Sequence, residues 1–156
     1  MAKKAQTTTD EPKRAEPQAQ AGGSSKAESP RAGRPDRGRE RALVAARVAE
    51  ETRGTDVQVL DLRELTDVFD YFVVATGSSR RQLHAMADEI EKVMKHEMHD
   101  TRRGMEGYED GRWIVLDYGD VVVHLFDAES REYWDIGQLW SGCKRVPLPT
   151  AAGAGR

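Results

Sequence analysis

The chain of 156 residues holds one cysteine, Cys143. No disulfide can form within it, and nothing in it asks for an oxidising compartment. It has no apolar stretch near the ~20 residues that span a bilayer. The lysines at its amino terminus are not followed by an apolar segment, which argues against a secretory signal. A cytoplasmic protein without a membrane partner is the expectation. There is no internal repeat.

The first forty residues also lack any aliphatic or aromatic run. "MAKKAQTTTDEPKRAEPQAQAGGSSKAESPRAGRPDRGRE" is Ala, Pro, Gly, Ser, Gln and charge, too little apolar surface to offset the entropy of ordering. The organisation expected is a disordered polar tail over 1–38, one folded domain over 39–148, and a disordered carboxy-terminal tail over 149–156, after Pro147 and Pro149 end the order. A domain of about 110 residues buries enough surface to fold without staples. Residues 1–40 carry nine Lys or Arg and six Asp or Glu, a net +3; residues 41–156 carry the other 15 and 21, a net −6. An acidic domain does not grip nucleic acid by phosphate neutralisation alone. Its partner should offer basic or apolar surface.

Within the domain, "GRERALVAARVAEETRG" reads as a helix with Leu43, Ala46 and Val48 on its apolar side and Gly54 at its end. "DVQVLDL" and "DYFVVATG" read as strands. Ser79 with Gln82 has the capping-box spacing, and Leu83, Met86, Ala87, Ile90, Val93 or Met94, and Met98 recur at helical intervals, so the longest helix runs from Arg80 to Met98. A short edge strand falls near Arg103 to Glu106. "RWIVLDY" and "VVVHLF" flank Gly119-Asp120, a two-residue hairpin signal. A last helix from Glu129 to Trp140 puts Tyr133, Ile136, Gly137 and Trp140 on one stripe. The fold class is α+β, a mixed sheet flanked by helices in the order α-β-β-α-(β)-β-β-α.

With Gly119 and Asp120 as loop residues, Tyr118 faces Val121, Leu116 faces Val123 and Ile114 faces Leu125 on an apolar face suited to the long helix. The other face pairs Asp117 with Val122, Val115 with His124, and Trp113 with Phe126. Its carboxylate, imidazole and indole N–H need partners if buried. Either another helix of the chain covers that face or another protein does.

"DYFVVATGSSRRQLHAMADEIE", "MEGYEDGRWIVLDYGDVVVHLF" and "ESREYWDIGQLW" resemble, in order and spacing, the three signature blocks of the ribosomal silencing factor family (RsfS, Iojap-like), from about Ala42 to Trp140. The resemblance implies a fold similar to nucleotidyltransferases. It also implies a steric translation inhibitor, neither an enzyme nor a cofactor binder. Such a protein binds the large ribosomal subunit through that subunit's protein fourteen and blocks joining of the small subunit when nutrients are scarce. It further implies a capacity to form homodimers. The recognition surface carried over is Trp113, Leu116, Asp117, Tyr118, Gly119 and Asp120, with Val122 and His124 beside them. Trp113, Asp117, Val122 and His124 share the mixed face, whereas Leu116 and Tyr118 fall on the other; the two assignments conflict. Trp134 stands where the family usually has Tyr, and Gly137 where an acid is common, at about 1 kcal/mol of helix propensity.

Three other readings compete. A nucleotidyltransferase-like nucleotide-binding enzyme is suggested by the implied fold and by Gly77-Ser78-Ser79, between a strand and a helix, where backbone N–H groups could hold a phosphate. Such chemistry needs paired carboxylates for a divalent metal, and Asp117 and Asp120, across a turn, do not point together. A metal site is suggested by His96 and His99 with Cys143 and His124 elsewhere, but no second short-spaced ligand pair completes it. In the tail, Arg31, Arg34, Arg37 and Arg39 among Gly and Pro suit weak, nonspecific contact with ribosomal RNA; the interleaved acids favour a solubilising extension instead.

Overall fold

The computed structural model describes residues 36–149. The expected tails lie outside that range, apart from Asp36, Arg37, Gly38 and Pro149. The elements are α1 (Arg37–Glu51), β1 (Thr55–Asp61), β2 (Tyr71–Gly77), α2 (Arg80–Glu97), β3 (Gly104–Glu106), β4 (Trp113–Asp117), β5 (Val121–Asp127), α3 (Ala128–Tyr133), α4 (Ile136–Leu139) and β6 (Lys144–Val146). The strands form one sheet in the order β3-β4-β5-β2-β1-β6. β2 and β5 run parallel and every other neighbouring pair antiparallel.

α1 starts two residues before the expected domain boundary because Asp36 caps it, accepting from the Arg39 N–H at 2.9 Å. Its buried side is Gly38, Ala42, Ala45, Ala46, Val48 and Ala49. The larger Leu43, expected to face inward, is only half-buried. Small residues on the inner side let the helix lie close to the sheet: a Cβ at Gly38 would sit 3.3 Å from the Tyr71 ring. α2 is capped as its spacing predicts at one end of the box, the Ser79 Oγ accepting from the Gln82 N–H. The return bond differs, since the Gln82 side-chain oxygen accepts from the Ser78 N–H and hydroxyl.

The single last helix does not form. Asp135 caps a new helix, accepting from the Gln138 N–H at 3.2 Å, while the Trp134 N–H closes α3 on the Ser130 carbonyl. An Asp that can bond the backbone ahead of it competes with helix continuation, and Gly137 does little to resist. Tyr133 consequently turns outward and shares no buried stripe with Ile136. The chain then adds β6, which the sequence did not announce, against β1.

The hairpin register is as expected: Trp113 opposite Phe126, Ile114 opposite Leu125, Val115 opposite His124, Leu116 opposite Val123, Asp117 opposite Val122. The Tyr118 N–H donates to the Val121 carbonyl at 2.9 Å, and Gly119 has φ +89°, as the first loop position of a type II′ turn requires. One face of the sheet, with Tyr71, Val73, Ile114, Leu116, Tyr118, Val123 and Leu125, packs under α1 and α2. The other, with Leu60, Leu62, Phe72, Val74, Val122 and Phe126, meets only Ile136 and the half-buried side chains around it.

Candidate functional site

The second face carries a layer of eight aromatic rings. Period-two alternation places Trp113 and Phe126 side by side on adjacent strands, their rings stacked at 5.0 Å and 25°. Trp134, from the α3–α4 junction, lies 5.4 Å from Trp113, and Tyr133 stands edge-on to Trp134 at 5.0 Å and 81°. On the other side His124 meets Phe72 at 4.6 Å, and Phe72 meets Trp140 at 5.6 Å and Phe69 at 5.2 Å. All three tryptophans of the chain are in this layer.

The layer is graded in burial. Phe126 is fully buried, Trp113, Trp134, Trp140 and Phe69 are half-buried, and Tyr133 is 69% exposed. The question left by the sequence, whether the chain or a partner covers this face, therefore has a divided answer. The chain's own α3–α4 segment covers the inner rings and leaves the outer ones in water.

His124 is the polar centre of the layer. The Trp113 indole N–H donates to its Nδ1 at 3.2 Å, which assigns the ring proton to Nε2. That nitrogen is buried and has no hydrogen-bond partner among the described residues. Burial pushes the imidazole pKa down to about 3, so the ring is neutral at any physiological pH.

Of the residues carried over as the recognition surface, the structure brings together Trp113, Val122 and His124. Asp117 lies at the end of the same face, but its Oδ1 accepts from the Gly119 N–H at 2.7 Å and serves the turn. Leu116 and Tyr118 require a correction. They are 0% and 1% exposed under the helices, because alternation sends them to the face opposite Trp113, and their side chains present nothing to a partner. Asp120 pairs with Arg41 of α1, which also holds Asp100 at 2.6 Å. Gly119 supplies its positive φ beside the Arg103 guanidinium. The acids of the corner thus hold the hairpin to α1 and shape its turn.

The residues missing from the expected surface are Phe69, Phe72, Tyr133, Trp134 and Trp140. Strand alternation alone places Phe72 with Val122 once β2 lies beside β5. Tyr133 and Trp134 depend on the helix break, which the expected continuous helix concealed.

The competing chemistries find less support. The Ser78 N–H and hydroxyl, the groups suited to a phosphate, are taken by Gln82, and the Asp117 and Asp120 carboxylates diverge onto Gly119 and Arg41. Among the described residues no three His, Cys, Asp or Glu side chains are grouped to hold a metal ion. No helix among them is long and apolar enough to cross a membrane.

A family model described as ribosomal silencing factor during starvation matches residues 35–155. Among known proteins the chain is similar to the ribosomal silencing factor of Chromobacterium violaceum, 41% identical over 101 residues, covering 65% of this chain and 82% of that protein. It is similar to the ribosomal silencing factor of Bacillus subtilis, 35% identical over 105 residues and covering 67% and 88%. It is also similar to the chloroplastic Iojap protein of Zea mays, 27% identical over 108 residues and covering 69% and 46%. A crystal structure of a Chromobacterium violaceum protein, 38% identical, superposes with a TM-score of 0.64 over 74% of this chain and 95% of that one.

Proposed function

Because this chain belongs to the ribosomal silencing factor family, we propose that it inhibits translation by binding the large ribosomal subunit, through protein fourteen of that subunit, and excluding the small one. The observation that carries this reading is the graded aromatic layer. Rings that run from a buried Phe126 to a solvent-facing Tyr133 have the make-up of interface centres, where large rigid aromatic side chains supply most of the binding energy.

The mechanism is exclusion. The layer docks, the body of the domain stands where the small subunit would approach, and no bond is made or broken. An interface of standard size, about 800 Å² on each partner, is enough to hold a domain of this size. The acidic domain suits a basic protein surface and is repelled by exposed ribosomal RNA. Scarcity of nutrients is the condition under which such a block conserves resources.

Sedimentation with purified subunits tests it. The protein should travel with the large subunit alone and be absent from joined ribosomes. Equal association with joined ribosomes, or none with the large subunit, would overturn the reading.

A further inference from the structure

Resting on the docking reading above, we infer that the docking surface is composite: α3 and α4 add Tyr133 and Leu139 to the Trp113 layer as contacts for a basic protein surface. α3 buries none of its residues and α4 buries only Ile136. Yet this segment displays Tyr133 at 69% and Leu139 at 70% exposure, the two most exposed of the large apolar side chains among the described residues. A continuous helix would have turned Tyr133 toward the sheet together with Ile136 and Trp140. The Asp135 cap breaks that helix, and the break turns Tyr133 to solvent while its ring stays against Trp134, which in turn lies against Trp113. The outermost ring is thus tied to the core of the layer through an edge contact with Trp134 and the tilted contact of Trp134 with Trp113, and pre-ordered before any partner arrives, which lowers the entropic cost of docking.

Charge selects the occupant. Glu129, Glu132 and Asp135 are all exposed along the segment. Its one cation, Arg131, is turned inward to the Thr76 hydroxyl at 3.3 Å and the Asp56 carboxylate at 3.1 Å. The outward charge is therefore negative. A phosphate backbone is repelled by it. A second copy of this domain, itself net negative, would bring the same acids to face one another. A protein surface bearing Lys or Arg is attracted, and a cation can settle on the exposed Tyr133 ring.

The test uses the full chain with Tyr133→Ala and Leu139→Ala combined, and separately with Glu129→Lys and Glu132→Lys combined, in sedimentation with purified large subunits. The first pair should weaken binding about tenfold, with a melting temperature within a few degrees of the unaltered chain because both side chains face water. The charge reversal should weaken binding at low salt and lose that difference at high salt. Unaltered affinity in the Tyr133/Leu139 variant, while the parent chain binds, overturns the composite surface alone; failure of the parent chain to bind overturns the docking reading itself. Tighter binding by the charge-reversed chain would assign the surface to RNA. Loss of self-association in the Tyr133/Leu139 variant, with subunit affinity retained, would assign it to a second copy; either result overturns the inference.

Discussion

His124 links the interior of the sheet to the candidate face, and its protonation makes a testable signature. In the folded chain the imidazole stays neutral down to about pH 3, whereas in the unfolded chain it binds a proton near its ordinary value of 6.5. Between those values the unfolded state holds more protons. Stability is thus fully present above pH 6.5 and falls as pH drops toward 3, with a limiting slope of about 1.4 kcal/mol per pH unit. His124→Asn keeps an acceptor for the Trp113 N–H and removes the titration. Urea unfolding between pH 6.5 and 5, above the range of the depressed carboxylates Asp36 and Asp61, should show a slope smaller by up to one proton in the variant. An identical slope would mean that the imidazole is not held neutral. Trp113→Ala removes a ring stacked on Phe126 and strips Nδ1 of its donor. It should cost about 2 kcal/mol of stability, so its effect on subunit binding is to be measured where the variant is still folded.

Between elements, Arg41 is the joint. From α1 it reaches Asp100 behind α2 and Asp120 at the hairpin tip, and its side chain is 14% exposed. Asp100 and Asp120, desolvation notwithstanding, hold the guanidinium more firmly charged than usual. Arg41→Ala leaves two half-buried carboxylates without their cation and should lower unfolding stability by about 2 kcal/mol, discounted from a fully buried pair for their partial exposure; a change within about 0.5 kcal/mol would show the network to be ornamental. Elements of this kind also mark what the sequence could convey. Gly119-Asp120 announced the turn, and period two then placed every β4–β5 pair correctly. Those signals are local and steric. The break at Trp134–Asp135 was not legible, because the helical spacing of Tyr133, Ile136 and Trp140 competes with a cap whose strength depends on what the chain packs against. The same spacing rule placed Ala46 and Val48 on the inner side of α1 correctly, and only Leu43 differs, packing half-buried at the margin of the core. Leu116 and Tyr118 were drawn into the expected surface by resemblance, and the register already placed them on the opposite face.

For the molecule as a whole, an acidic domain displays one aromatic face. Removing residues 1–35, which keeps the Asp36 cap, should leave affinity for the large subunit within a few fold at moderate salt; a collapse in affinity would make the basic tail part of the site. The claim that the protein acts by occupying space is met most directly by following subunit joining in light scattering, with this protein added to the large subunit before the small one. Exclusion predicts that joining falls in proportion to occupancy and is abolished when every large subunit carries one copy. Joining at the normal rate and extent on fully occupied large subunits would contradict it.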